Sequence, residues 1–245
     1  MATYRLTISY DGTRFSGWQV QPNGISVQAL LQDAFTTILR EKIMVTGAGR
    51  TDAGVHAHGQ TAHFHFDKPL DLPKLQHSIN ALLPEDIRLM EIKEVSDNFH
   101  SRYSAISKEY HYHIDLNYDP FNRLYSWWVP YKIDIDLLKA ALKKYEGEHD
   151  FKGFANENEK GVAAHDSKRK MIKTELIQNG SKLNIIYIAD GFLYKMARNL
   201  TGTAIDIARG YLPLNTIDEI FNTQDRKKGG QAAPAHGLFL YKVNY

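Results

Sequence analysis

The decapeptide GAGRTDAGVH, residues 47–56, joins two segments that alternate like β-strands, residues 43–46 and 60–66. It places a carboxylate, Asp52, two positions after the guanidinium of Arg50, between glycines that let the backbone turn sharply. An opposite charge nearby keeps an aspartate ionised, which is the state that a nucleophilic carboxylate needs. Most aspartates in glycine-rich loops only cap a local turn. A nucleophile and a turn-capping residue are therefore both open interpretations of Asp52.

Outward from this loop, strand and helix patterns follow one another in a regular order. The order is strand, helix, strand, strand, helix, strand, and the second half of the chain repeats it. Ser26 is placed to cap the first helix, Pro84 to stop the second, and Gly210 to end the last. The predicted elements of the first half are residues 4–10, 27–38, 43–46, 60–66, 72–83 and 87–95. Those of the second half are residues 108–116, 135–145, 170–178, 182–189, 194–209 and 238–243, with a hairpin turn at Asn179-Gly180.

This repeated order predicts an α+β fold of two ferredoxin-like βαββαβ halves, with helices on one side of the sheet and a cleft between the halves. The N-terminal half spans residues 1–103 and the C-terminal half residues 104–245. The two halves share element order but no evident sequence identity. Residues 119–130 and 151–168 do not fit the order, so they are predicted to be loops or insertions, which often carry function.

Composition excludes several classes of protein. The 245 residues include no cysteine, which rules out disulfides, thiolate nucleophiles and cysteine-ligated metals. No apolar run approaches the roughly 20 residues that cross a bilayer. The first residues alternate like a strand and do not have the shape of a signal peptide. We therefore expect a cytoplasmic protein that does not enter the membrane.

The formal net charge of +2 is too small for a generic nucleic-acid binder. The charge is also uneven, with −1 in residues 1–103 and +3 in residues 104–245. Any nucleic-acid site must therefore be a local basic patch. Two runs are candidates, residues 168–170 (Lys-Arg-Lys) and residues 226–228 (Arg-Lys-Lys), and each is equally consistent with an ordinary solvated surface.

A group of histidines suggests a different chemistry. His56, His58, His63 and His65 lie within ten residues, and the last two share one face of a predicted strand. Imidazole nitrogens bind zinc, so a metal-dependent hydrolase is an alternative function. No glutamate has the spacing of a hydrolytic metal site, which makes a half-exposed, histidine-rich strand the favoured interpretation.

Two positions in the second half bear side chains with possible chemical roles. Tyr110 and Tyr112 share one face of a predicted strand, and tyrosine is common on strands. If Tyr110 lies next to a carboxylate, its ring would give a flipped base a surface to stack on. Arg198 lies in the last long helix, off an apolar stripe that indicates core packing, so it is either a surface residue or a functional one. That stripe consists of Phe192, Met196 and Leu200.

Motifs spread over nearly the whole chain resemble those of the TruA family of tRNA pseudouridine synthases. Matches of this extent are far more specific than one short motif. They are Tyr10-Asp11-Gly12, residues 15–19 (FSGWQ), residues 49–56 (GRTDAGVH), Gly59-Gln60, residues 80–84 (NALLP), residues 97–105 (DNFHSRYSA), residues 108–112 (KEYHY), residues 192–199 (FLYKMARN) and residues 235–240 (AHGLFL).

The resemblance implies a pseudouridine-synthase-type sheet and an enzyme that isomerises uridine to pseudouridine at positions 38, 39 and 40 of the tRNA anticodon stem-loop. It implies that Asp52 is the nucleophile and that Tyr110 stacks on the target base. Arg50 and Arg198 align with active-site arginines, with Arg198 as the ionic partner of Asp52. It further implies a homodimer that needs no cofactor and no metal. A non-catalytic RNA-binding module remains a further alternative.

The chain departs from the family pattern at a few positions. Ala197, Thr201 and Gly202 stand where bulkier aliphatic residues are usual, and His236 stands where glutamate is frequent. None of these coincides with an aligned catalytic position.

Overall fold

The computed structural model describes residues 1–156 and 166–245. They form two compact units, one of residues 1–106 with residues 239–245, and one of residues 107–238. The predicted halves, 1–103 and 104–245, stay a prediction. In chain order the elements are β1 (Ala2–Tyr10), α1 (Val27–Leu39), β2 (Thr46–Gly47), β3 (His56–Phe66), α2 (Leu72–Leu82), β4 (Ile87–Val95), β5 (Ser107–Asp115), β6 (Trp127–Trp128), α3 (Ile135–Lys143), β7 (Gly147–Asp150), β8 (Lys168–Asn179), β9 (Lys182–Ala189), α4 (Met196–Ala208), α5 (Thr216–Thr223) and β10 (Leu238–Asn244).

Helices and mostly antiparallel strands mix in both units, which confirms the predicted α+β class. In the first unit β1 lies between β3 and β4 and is antiparallel to both. The strand β10 adds to β3 in parallel, and β2 adds to β3 in antiparallel. Alternate residues of β1 are buried because a strand presents every second side chain to the same face. They are Tyr4, Leu6, Ile8 and Tyr10.

The helices of the first unit begin as the sequence predicts. The hydroxyl of Ser26 caps α1 by accepting from the backbone nitrogen of Ala29 at 3.3 Å. Asp71 caps α2 in the same way, with the nitrogen of Lys74 at 3.1 Å. Leu31 and Phe35 of α1 are fully buried, so this helix contributes its apolar face to the core.

The predicted strand over residues 43–46 is wrong except at its last residue, since only Thr46–Gly47 pairs with a neighbour. Side chains of α1 replace the missing strand partner. The backbone nitrogen of Val45 donates to Gln32 Oε1 at 3.1 Å, and that of Ile43 donates to Thr36 Oγ1 at 3.1 Å. Both residues are buried, so the alternating apolar pattern reports burial rather than strand pairing.

In the second unit the strands follow the order β5-β9-β8-β7, with β6 parallel to β5. The hairpin between β8 and β9 is confirmed, but its turn is Gly180-Ser181, one residue later than the predicted Asn179-Gly180, because Asn179 still pairs with Lys182. Most of α4 is buried, and Gly210 follows its C-terminal end as predicted. The strands β6 and β7 and the helix α5 were not predicted. The two strands are only two and four residues long, and α5 has eight residues, although its buried Ile217 and Ile220 do lie at helical spacing.

The two segments predicted as loops contain some regular structure. Residues 119–130 include β6, and residues 151–154 form a 3₁₀ helix whose Phe151 and Phe154 are buried. Residues 157–165 of the second segment lie outside the described residues. Among the helices that the structure describes, none is long and apolar enough to cross a membrane.

Candidate active site

Asp52 lies in the loop between β2 and β3, in the first unit. The loop turns directly after it, because the backbone nitrogen of Val55 donates to the carbonyl oxygen of Asp52 at 3.1 Å. The neighbouring Thr51 is buried, whereas Asp52 is half-buried. The loop is therefore anchored on one side of Asp52 and leaves its carboxylate partly accessible.

The residues after β1 hold this loop in place. The backbone nitrogen of Trp18 donates to the carbonyl oxygen of Thr51 at 3.1 Å. The hydroxyl groups of Tyr10 and Thr51 are hydrogen-bonded at 2.7 Å inside the core. Burial raises the pKa of Tyr10 above its ordinary value, although its hydrogen bonds to Thr51 and Gln60 act in the opposite direction. Its hydroxyl therefore stays protonated across the neutral range.

Gly17 permits the close approach of these two segments. Its φ of 93° lies in the left-handed region, which L side chains rarely adopt. A Cβ at this position would lie 2.5 Å from the carbonyl oxygen of Thr51. The glycine in the motif FSGWQ thus explains why the residue before Asp52 can bond to Trp18.

Arg50, two residues before Asp52, is exposed. Its Nε donates to Gln19 Oε1 at 3.0 Å, so its side chain is tied to the same segment that anchors Thr51. The amide of Gln60 donates to the carbonyl oxygen of Gly49 at 2.9 Å and fixes the start of the loop, just after β2. The structure therefore brings Arg50 and Asp52 into one braced loop.

The histidines of β3 have separate environments. His56 is buried, accepts from the backbone nitrogen of Gly12 at 3.0 Å through Nδ1, and stacks on Phe239. His58 is exposed and also stacks on Phe239. His65 is hydrogen-bonded to Thr3, and across residues 1–156 and 166–245 no three metal-binding side chains are grouped so that they could hold an ion.

His63 is the buried member of this group. Its Nδ1 lies 2.9 Å from Ser101 Oγ. Burial lowers the pKa of His63 to about 4, with the neighbouring His100 and His65 acting in the same direction. This imidazole is therefore neutral at physiological pH and ties the segment around Ser101 to β3.

Tyr110 lies on β5 in the second unit. It is 7% exposed and meets the ring of Phe192 edge-on at a centroid distance of 4.8 Å. Its strand neighbour is Tyr187 of β9. Its ring is therefore held firmly, as a stacking surface needs to be.

Arg198 lies in the first turn of α4, also in the second unit. It is half-buried, and its Nε donates to the carbonyl oxygen of Ala233 at 2.7 Å. In return, the backbone nitrogen of Ala233 donates to the carbonyl oxygen of Arg198 at 3.0 Å. The first bond fixes the guanidinium, and the second holds the backbone of Ala233 against α4.

The small residues of α4 explain this arrangement. A Cβ on Gly202 would lie 1.8 Å from the carbonyl oxygen of Gln231, so only glycine lets residues 231–233 lie on the helix. Thr201 fills the adjacent space and is hydrogen-bonded to Tyr187 at 3.0 Å. The departures from the family pattern at Thr201 and Gly202 thus belong to the packing that holds Ala233 beside Arg198.

The two basic runs are alike in exposure, since each combines a half-buried arginine, Arg226 or Arg169, with two exposed lysines. Arg226 is half-buried, and its Nη2 donates to Asn199 Oδ1 at 2.8 Å and to the carbonyl oxygen of Gly230 at 2.7 Å. In the other run Lys168 and Lys170 are exposed. Lys227 and Lys228 are exposed in the same way, so both runs offer accessible positive charge.

Sequence reasoning missed the residues that hold these side chains in place. Tyr10, Gly17 and Ala233 each contact a predicted site residue or its neighbour across a long stretch of chain. For Tyr10 and Gly17 the available signal was their position in motifs near the start of the chain. Nothing in the sequence around Ala233 indicated its role.

Comparison with known proteins identifies the family of this chain. The sequence profile of the tRNA pseudouridine synthase family matches residues 6–104 and 141–245. The chain is 49% identical over 248 residues to tRNA pseudouridine synthase A 1 of Protochlamydia amoebophila, covering 100% of this chain and 97% of that protein. It is 40% identical over 248 residues to tRNA pseudouridine synthase A of Chlamydia muridarum, covering 98% of this chain and 91% of that one. The resemblance inferred from the motifs is thus confirmed, and the chain belongs to the tRNA pseudouridine synthase family, a family of isomerases.

Proposed function

We propose that this protein converts uridine to pseudouridine in the anticodon stem-loop of tRNA, at positions 38, 39 and 40, with Asp52 as the nucleophile. The observation that carries the assignment is the braced loop around Asp52. Its backbone is fixed before Asp52, where Trp18 bonds to Thr51 and Gln60 bonds to Gly49, while Asp52 itself stays partly accessible. Catalytic groups must be held in place before the substrate arrives, and this loop meets that requirement.

The reaction is an isomerisation, so no atom is gained or lost. The N1–C1′ bond breaks, the base turns, and a C5–C1′ bond forms; C5 loses its proton and N1 gains one. A carboxylate serves this sequence either by attacking C1′, as in glycoside hydrolysis, or by assisting removal of the C2′ proton. Both routes require Asp52 to be ionised.

The remaining roles follow the aligned positions. The target base must leave the helical stack to be reached, and the rigidly held ring of Tyr110 provides a replacement surface. We assign Arg198 the positive charge that favours an ionised nucleophile, because the bond from its Nε to the carbonyl oxygen of Ala233 fixes its guanidinium. Arg50 is assigned to substrate binding, since it is exposed at the edge of the loop.

We also propose a cytoplasmic homodimer that needs no cofactor or metal, as the family resemblance implies. The modest net charge of +2 means that tRNA binding relies on local patches, for which the exposed lysines of residues 168–170 and 226–228 are the candidates. A second copy of the chain would enlarge the positive surface available to one tRNA.

Mapping of the product tests the proposed substrate. A tRNA transcript is treated with the protein, labelled with a carbodiimide that marks pseudouridine, and copied by reverse transcriptase. We expect stops at positions 38, 39 and 40, each of which disappears when that uridine is replaced by cytidine. Pseudouridine only elsewhere in the tRNA would contradict the assigned positions. Binding without any pseudouridine would indicate an RNA-binding module instead.

A further inference from the structure

A cavity of about 190 Å³ opens in the second unit where β5 ends. Its lining comes from the segment after β5, from β6 and from His236. Sites for drug-sized ligands usually have volumes of roughly 300–1,000 Å³. This cavity is smaller, so it fits a single ring rather than a whole cofactor.

The floor of the cavity contains a buried carboxylate with an unused oxygen. Asp115 is 3% exposed, and its Oδ1 accepts from Ser181 Oγ at 3.2 Å. Its Oδ2 has no hydrogen-bond partner among the residues that the structure describes. Buried polar atoms are almost always paired, and an unpaired carboxylate oxygen is costly. Asp115 Oδ2 is therefore available to accept a hydrogen bond from a group other than the described residues.

The other carboxylate of the lining is already satisfied. Asp119 Oδ1 accepts from the backbone nitrogen of Phe121 at 3.0 Å, and Oδ2 accepts from Asn122 at 2.5 Å. Lys182 lies 3.9 Å from Asp119 and offsets its charge. Asp115 is thus the acceptor that a ligand in this cavity would meet.

Aromatic side chains form the walls. Trp127 and Trp128 line the cavity, and Tyr118 meets Trp128 edge-on at a centroid distance of 5.2 Å. Tyr118 and Trp128 are 60% and 45% exposed, so their rings are available at the entrance. Flat aromatic surfaces of this kind bind planar rings, and unstacked nucleobases above all.

The entrance is built before any ligand arrives. The turn from Asp119 to Asn122 is closed by hydrogen bonds, and Tyr125 donates from its backbone to the carbonyl oxygen of Asn122 at 2.8 Å. Arg123 is exposed at the entrance, and its Nη1 donates to the carbonyl oxygen of Pro120. A preformed site loses little conformational entropy on binding, and a fixed guanidinium suits a phosphate next to the bound ring.

We propose that this cavity binds one unstacked base of an RNA substrate, a base that carries an amino group. Its N–H donates to Asp115 Oδ2, its ring lies against Trp128, and its phosphate faces Arg123. Cytosine, adenine and guanine meet this requirement. Uracil does not, because it presents a carbonyl oxygen where cytosine presents its amino group, and its N3–H lies between two carbonyl oxygens that the carboxylate repels. The cavity is therefore a second base site, different from one that holds the target uridine. The proposal rests on the proposed function only in taking the ligand to be RNA.

The test uses cytidine monophosphate and uridine monophosphate as matched probes. Each is titrated into the intact protein while the indole N–H signals of its three tryptophans are followed by NMR. Trp127→Phe and Trp128→Phe assign the two signals at the cavity, and the buried Trp18 of the other unit is the internal control. We expect cytidine monophosphate to shift the Trp127 and Trp128 signals and to bind on the order of tenfold more tightly than uridine monophosphate, as loss of one charged hydrogen bond implies.

Asp115→Asn gives the sharpest result. Its amide oxygen can still accept from Ser181, while its amide nitrogen faces the cavity and donates, so we expect the preference to reverse in favour of uridine monophosphate. A wild-type circular-dichroism spectrum and a wild-type urea midpoint show that this variant folds; if it does not fold, Trp128→Ala on the exposed rim must abolish binding of both probes. Three results would each overturn the proposal. They are the absence of a shift with either nucleotide, equal binding of the two nucleotides, and signals that change only with protein concentration because a second copy covers the cavity. Asp52→Asn should bind cytidine monophosphate normally, which separates this site from the catalytic assignment.

Discussion

The hydroxyl of Tyr10, at the end of β1, lies 2.7 Å from the hydroxyl of Thr51, the residue immediately before Asp52. Both residues are buried, with exposures of 4% and 7%. This hydrogen bond connects the core of the first unit directly to the loop that carries the proposed nucleophile. The position of Asp52 is therefore set by core packing as well as by the loop's own sequence.

Tyr10→Phe should weaken catalysis more than it weakens folding. The change leaves the hydroxyl of Thr51 without its partner, which costs about 1–3 kcal/mol. Because Thr51 precedes Asp52, we expect a lower kcat with little change in KM, measured by tritium release from tRNA labelled at C5 of uridine. Tyr4→Phe is the matched control, since Tyr4 is a buried residue of the same strand that stacks on Phe64. Equal kcat values in the two variants would contradict the proposed bracing.

Gly17→Ala should destabilise the loop more than Gly180→Ala destabilises its hairpin. Both glycines have positive φ, 93° and 59°, so each substitution costs about 1–2 kcal/mol in backbone conformation. Only at Gly17 does the new Cβ collide with a backbone oxygen, that of Thr51, while nothing lies within 4 Å of it at Gly180. The collision adds roughly 1–3 kcal/mol. Urea denaturation measures the difference, and equal losses in both variants would count against the close approach.

Arg198→Lys should reduce activity although it keeps the charge. Lysine lacks the Nε–H that donates to Ala233, so its ammonium is no longer fixed. Loss of a hydrogen bond from a charged group implies a decrease in kcat of roughly 10- to 100-fold. The control is Arg209→Lys at the other end of α4, where Nε donates to Asp206 of the same helix and the guanidinium lies over the rings of Tyr131 and Tyr211. Full activity of Arg198→Lys in tritium release would show that fixed geometry is unimportant there.

Stability should fall as the pH falls from about 6.5 to about 4, in part because of His63. Its pKa is about 4 in the folded protein and near 6.5 in the unfolded chain, so between these values the unfolded state binds more protons. Folding is then disfavoured on acidification, and the contribution is fully present above pH 6.5. Denaturation with urea across this range should give a shallower pH slope for His63→Asn than for the wild type. Identical slopes would exclude His63 as a source of the effect.

Lys170→Gln should weaken tRNA binding through electrostatics alone. Lys170 is exposed on β8, and the loss of one phosphate contact reduces the salt slope of the logarithm of the binding constant by about 1. Lys139→Gln on the surface of α3 removes one charge elsewhere and serves as the control. Filter binding at several salt concentrations distinguishes them, and a wild-type slope in Lys170→Gln would remove this patch from the tRNA surface.

Most elements of the fold could be predicted because their signals are local. The cap at Ser26 and the alternation of β1 depend on neighbours in the sequence, and both are confirmed. Residues 43–45 show the limit of such reasoning. They alternate like a strand, yet their backbone bonds are taken by side chains of α1, which no local pattern reveals.

The candidate site likewise contains residues that the sequence reveals and residues that it does not reveal. Asp52, Tyr110 and Arg198 were found from motifs, and their roles stay predictions. The groups that hold them in place could not be found from the sequence. The carbonyl of Ala233 contacts Arg198, and Gly17 lies against Thr51, only after distant segments of the chain have folded together. Asp115 is a further case, since its unused oxygen appears only when β5 and the turn after it are folded.

The central claim is that the carboxylate of Asp52 performs the reaction. The direct measurement is tritium release from tRNA labelled at C5 of uridine, comparing the wild type with Asp52→Asn and with Asp33→Asn, an exposed aspartate of α1 that serves as the control. We expect Asp52→Asn to bind tRNA and to release no tritium above background, and Asp33→Asn to match the wild type. Tritium release by Asp52→Asn at the wild-type rate would contradict the assignment.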